Sequence, residues 1–177
     1  MSNETERQRG LWVALRHQAQ GKGFRVVVRS MDSSVAAYSD YGARLVVISD
    51  RLSPLGALAR LAHEVGHVYL HADHQHPSAF PDRGVREIEA ELFAYAVLLH
   101  NGITPDDSLL HYMTNWAMRV APQAPEQLVE AVSERLAPAV TEFSAQVHCY
   151  VRDQMQAARW HAGEQAIVAP DHDGPEL

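Results

Sequence analysis

The segment from Ser53 to His71 constrains this chain most. A serine followed by proline opens it, and Leu55, Leu58, Leu61, Ala62, Val65 and Tyr69 then recur at helical spacing. A hydroxyl that can cap a helix, followed by a ring that fixes φ for the first helical position, predicts a helix over 54–71. Its apolar stripe is too broad to leave in water, so the rest of the chain must supply surfaces to cover it.

Those surfaces are legible on both sides. Leu11, Trp12, Leu15 and Ala19 predict an amphipathic helix over 5–19, ended by Gly21 and Gly23 and laid across a sheet. Three runs rich in Val, Ile and Tyr, at 24–30, 34–39 and 43–49, predict the strands. Asp40, Tyr41 and Gly42 provide a turn between the last two, with Gly42 at positive φ, which makes them a hairpin. Beyond the capped helix, 71–84 reads as a loop containing His74 and His76. Helices are expected over 85–99, with Gly102 just past the end, and over 108–120. A longer one begins near Ala124 or Pro125, with Leu128, Val132, Leu136, Val140, Phe143 and Val147 as its stripe and Pro138 forcing a kink or break. The fold class is α+β: a small three-stranded sheet with a hairpin, packed on a helical bundle. One domain is expected over 1–160, with 161–177 a disordered tail.

Composition narrows the function. A net charge of −7 repels phosphate backbones and anionic lipid, so independent nucleic-acid binding and membrane association are not expected. Cys149 is the only cysteine, which excludes an intramolecular disulfide and a thiolate zinc site and leaves His and carboxylates as metal ligands. It reads as a buried, inert thiol. With a charged N-terminus and no long apolar run, the expected location is the cytoplasm.

The capped helix contains HEVGH at 63–67. Four-residue spacing puts His63 and His67 on one face, about 5–6 Å apart at Cβ, close enough for both imidazoles to reach one Zn²⁺. At this chain's His and Glu content the motif arises by chance with odds on the order of one in twenty, so its context matters. A catalytic zinc needs a third protein ligand and an open position for water. The segment REIEAELFAYAVLL offers Glu87 as that ligand, and Glu91, four residues on, to orient an imidazole; Glu89, which points elsewhere, is the fallback ligand. Small Ala90 and Ala94 allow close approach of the two helices. His71 extends the His67 row as a structural histidine or one that orients a ligand, since a fourth protein ligand would close the site. Tyr38, His111 and Tyr112 have the chemistry of an oxyanion stabiliser or substrate contact. Tyr112 and Trp116, four apart, read as core aromatics.

Hairpin, LAHEVGHVYLH and REIEAELFAYAVLL, in that order over roughly 24–145, resemble the ImmA/IrrE family of zinc metallopeptidases and the peptidase domain of ArdC-type antirestriction proteins. The resemblance implies zinc held by His63, His67 and Glu87, with Glu64 catalytic. Glu91 stands where Asn or Asp is frequent, the second helix runs into LLHNG, and YMTNW follows at 112–116, all closer to the ArdC-like branch. Neither the N-terminal DNA-binding domain of that branch nor the C-terminal sensor domain of IrrE-type proteins is present, so the chain resembles a stand-alone peptidase module. The implied function is a zinc endopeptidase of narrow specificity acting on a protein or peptide, such as a helix-turn-helix transcriptional repressor. The rival is an antirestriction or defence-related binding module on the same scaffold, acting through protein or single-stranded DNA contact.

Overall fold

The computed structural model describes residues 3–32, 34–72, 83–105 and 107–167. The fold is α+β, as the sequence predicts. Eight elements follow one another: α1 (Asn3–Gly21), β1 (Arg25–Arg29), β2 (Ala37–Asp40), β3 (Leu45–Ser49), α2 (Pro54–His71), α3 (Arg83–His100), α4 (Asp107–Val120) and α5 (Pro125–Ile167). Among the described residues no helix is long and apolar enough to cross a membrane.

The three strands form one mixed sheet in the order β1-β3-β2, with β1 parallel and β2 antiparallel to β3. The β2–β3 pair is the expected hairpin. Val46, Val47 and Ile48 on its inner strand are fully buried. Two details of the turn differ from expectation. Asp40 belongs to β2, paired with Leu45, and the left-handed residue is Arg44 (φ 50°) rather than Gly42. The Asp40 carboxylate accepts the Ala43 N–H at 2.8 Å and closes the turn one residue later, while the Arg44 guanidinium lies over the Phe24 ring.

α2 starts where its cap requires: Ser53 Oγ accepts the Gly56 N–H at 3.1 Å, with Pro54 in the first turn. α1 packs on α2 and α5 as well as on β1, so it belongs to the bundle more than to the sheet. The α2–α3 contact is the most extensive in the molecule, and a glycine sets it. A Cβ at Gly66 would stand 3.0 Å from Phe93 Cδ1 and 3.4 Å from the Ala90 backbone. Phe93 cannot easily yield, being fully buried with its ring 4.7 Å from Phe143 of α5 and 5.8 Å from Tyr69 of α2.

Two expectations are corrected in the C-terminal half, and of the kink or break expected at Pro138 the break does not occur. α5 runs through Pro138 unbroken: Pro138 and Glu134, whose carbonyl loses its helical partner there, are both exposed, so water can satisfy that oxygen. Cys149 is exposed, because the buried stripe of α5 passes through Phe143, Ser144 and Val147. Tyr112 is 40% exposed; the buried row of α4 is Leu109, Met113 and Ala117, one step around the helix. α5 also extends to Ile167, past the domain end expected at 160, while 168–177 and His74 and His76 lie outside the described residues.

Filling the gap at Gly66 should be costly. Gly66→Val is expected to destabilise the fold by about 1–3 kcal/mol, the usual range for an overpacked interface, despite replacing a poor helix former. Denaturant unfolding checks this, and a variant as stable as the parent would show that α3 does not rely on that close approach.

Candidate metal centre

Sheet, α2 and α3 enclose a cleft of about 990 Å³, with β2 along one wall, α2 as its floor and the first turns of α3 opposite. His63, Glu64, His67 and Glu87 all line it. Burial of the α2 stripe, Val65 included, leaves His63, Glu64 and His67 to meet the cleft. Gly66 lets α3 approach near enough to add Glu87.

Three donor atoms converge. His63 Nε2 and His67 Nε2 lie 3.0 Å apart, and Glu87 Oε2 is 3.5 Å from the first and 3.7 Å from the second. Among the described residues these three side chains form a group able to hold a metal ion. The nearest point equidistant from atoms so spaced, in their own plane, lies about 2.0 Å from each, the length of the bonds zinc makes with imidazole and carboxylate donors. Three such donors would leave a tetrahedral cation one position for water.

The surroundings orient these donors. His63 Nδ1 lies 3.3 Å from Glu91 Oε1, an ion-pair distance without hydrogen-bond alignment, and Arg60 donates to the same oxygen at 3.2 Å. Glu91 is 1% exposed, so these cations are what make its charge tolerable there. Glu89 does not reach the centre. It is also buried, and accepts from His71 Nε2 at 2.8 Å and from Arg135 at 2.6 Å, so the fallback ligand is occupied elsewhere. His71 Nδ1 in turn sits 3.3 Å from His67 Nδ1. Arg83 approaches Glu87 at 3.8 Å, but its guanidinium is largely exposed and the pair is weak.

Glu64 is 7% exposed, and its Oε2 accepts the Ser39 hydroxyl at 2.6 Å. Of the other residues suggested by chemistry alone, Tyr38 and Tyr112 line the cleft and His111 does not. Tyr38 accepts from Arg29, and Tyr112 lies under the Arg60 guanidinium. Sequence reasoning assigned no role to Ser39 and read Tyr41 only as a turn residue. Tyr41 also lines the cleft; although 43% exposed, it is desolvated in part, and this and the Glu64 charge hold its phenol above the usual range, while like any tyrosine it is a hydrogen-bond donor at neutral pH. The alternation of β2 could have revealed Ser39, since its place two residues from Ala37 puts both on one sheet face. Nothing in the sequence points to Tyr41.

Burial opposes a charge on His63, but Glu87, Glu91 and Glu64 outweigh it and raise its pKa to about 9. Burial likewise opposes the Glu87 charge, and the two imidazoles overcome it, holding that carboxyl well below the usual range. In the metal-free protein the contribution of His63 to stability is therefore complete below about pH 6.5 and disappears as pH rises through about 9. A cation must displace that proton. Zinc uptake by the metal-free chain should release protons at pH 7.5, and its affinity should climb with pH and level off near 9. Calorimetry in buffers of different ionisation enthalpy checks this, and uptake without proton release at pH 7.5 would contradict it.

Residues 19–107, from the end of α1 to the start of α4, match the model of a peptidase family described as the IrrE N-terminal-like domain. Neither a curated protein nor a solved structure matches the chain.

Proposed function

This chain belongs to the IrrE N-terminal-like peptidase family, and from that premise we propose that it is a zinc-dependent endopeptidase whose centre is His63, His67 and Glu87, with Glu64 as the proton-transferring group. The observation that carries the reading is the convergence of those three donors at bonding distance from one point, beside a buried carboxylate. The family makes a metallopeptidase the coarse expectation; zinc, the role of Glu64 and the nature of the substrate are our extension of it.

A zinc ion held there would supply Lewis acidity toward a scissile carbonyl and a lowered pKa for water. The protein's own residues do the rest. Ser39 holds Glu64 Oε2, which leaves Oε1 to take a proton from the attacking water and pass it to the departing amine nitrogen, a transfer typically worth about 10²–10⁴ in rate. Tyr41, protonated and on the cleft wall, would donate to developing negative charge on the carbonyl oxygen, a role that its cleft-lining position supports. β2 is an outer strand, and residues 35–39 line the cleft, so an extended substrate segment can pair with it and carry its peptide bond past the centre. An unfolded loop of a regulatory protein, such as a helix-turn-helix repressor, fits that requirement.

Glu64→Gln keeps the size and the Ser39 contact but removes the base. It should retain metal at parental affinity while cleavage of a susceptible protein falls by about 10²-fold or more. Metal analysis with fragment detection after co-expression with candidate repressors checks both halves. Full cleavage by Glu64→Gln would remove Glu64 from the mechanism. Binding of a partner unaffected by that change, without any cleavage, would favour the binding-module alternative.

A further inference from the structure

Behind His67 lies a chain of polar contacts that the reaction does not use directly. His67 Nδ1 faces His71 Nδ1 at 3.3 Å, His71 Nε2 faces Glu89 Oε2 at 2.8 Å, and Glu89 Oε1 faces Arg135 of α5 at 2.6 Å. Glu89 is 2% exposed and the His71 side chain is 9% exposed, so the middle of the arrangement is largely buried, while His71 borders the cleft and Arg135 at the far end is partly exposed. We propose that His71, Glu89 and Arg135 form a relay that positions His67, fixing its ring orientation and tautomer for metal binding and making α5 part of the centre's support.

The proton inventory admits one consistent arrangement. If Nε2 of His67 gives its lone pair to the cation, Nδ1 carries the hydrogen and donates it. His71 Nδ1 must then be the acceptor, which puts the hydrogen of a neutral His71 on Nε2, where a carboxylate waits. Glu89 receives that hydrogen on one oxygen and Arg135 on the other, so each donor and acceptor facing along the chain is matched. Glu89 would be prohibitively costly to bury with neither partner. The position of Arg135 adds a further point: it lies beyond the residues that match the family model, so support for the centre is not confined to that domain. Orientation of a ligating histidine through its second nitrogen commonly governs metal affinity by about 10- to 100-fold.

The inference rests on the reading of His63, His67 and Glu87 as a metal centre. Its test uses the full chain, freed of metal, with zinc affinity measured against a chromogenic chelator and visible absorption recorded after Co²⁺ substitution. His71→Phe, confirmed as folded by circular dichroism, should bind zinc about 10- to 100-fold more weakly and change the Co²⁺ spectrum. His71→Gln, whose amide offers one acceptor and one donor, should recover most of both. Arg135→Met should weaken binding by a smaller factor, about threefold to tenfold, with Arg135→Lys recovering part of it. A folded His71→Phe with parental affinity and spectrum would overturn the relay. Should that variant not fold, parental affinity in Arg135→Met, whose side chain is partly exposed, would overturn it instead. His63→Ala separates the two levels: parental zinc affinity in that control would refute the centre itself.

Discussion

The closeness of α2 and α3 governs the rest of the structure. Ligands on a single helix can supply two imidazoles at the right separation, but a third donor has to arrive from another element with an error of a few tenths of an ångström. Gly66 and Ala90 allow the backbones to meet, and the Phe93, Phe143 and Tyr69 rings lock the distance from the far side. The glycine inside the histidine motif is thus a packing residue whose effect is felt at the carboxylate of Glu87.

That tight junction also concentrates charge in a place with little water. Glu64, Glu89 and Glu91 are buried around two histidines that face each other. Isolated, each carboxylate would be expelled or protonated; here each has an assigned neighbour, Ser39 for Glu64, Arg60 and His63 for Glu91, His71 and Arg135 for Glu89. Glu91 Oε2 and the N–H at His63 Nδ1, which make no aligned hydrogen bond, mark where this arrangement is least complete. A metal-free centre holds its geometry through a proton on His63, and the same attraction that keeps the proton prepares the site for a cation.

Much of this was legible because it is local. Ser53 and Pro54 announce the start of α2, and spacing of four places His63 beside His67 whatever the remainder of the chain does. Glu87 and Glu91 follow from the same arithmetic on α3. What could not be read depends on partners far apart in sequence. Glu89 reads as a fallback ligand that points elsewhere until α5 brings Arg135 to it, 46 residues on. Tyr112 sits one step from the buried row of α4 and Cys149 two steps from Val147 of α5, and rotations of about 100° per residue decide whether such a residue meets core or water. In the hairpin, the Asp40 side chain displaced the left-handed residue from Gly42 to Arg44 by offering its own acceptor to Ala43, a choice that composition does not reveal.

The mixed sheet has a kinetic consequence. β2 and β3 are joined by a tight turn and can zip together early, whereas β1 pairs with β3 in register Arg25↔Leu45 and can join only by closing a loop of about 20 residues. Loop closure across that span becomes favourable once β3 is already held straight by its hairpin partner. The cleft wall is therefore assembled from local contacts, and the chain's slower topological step falls on the strand farthest from the cleft.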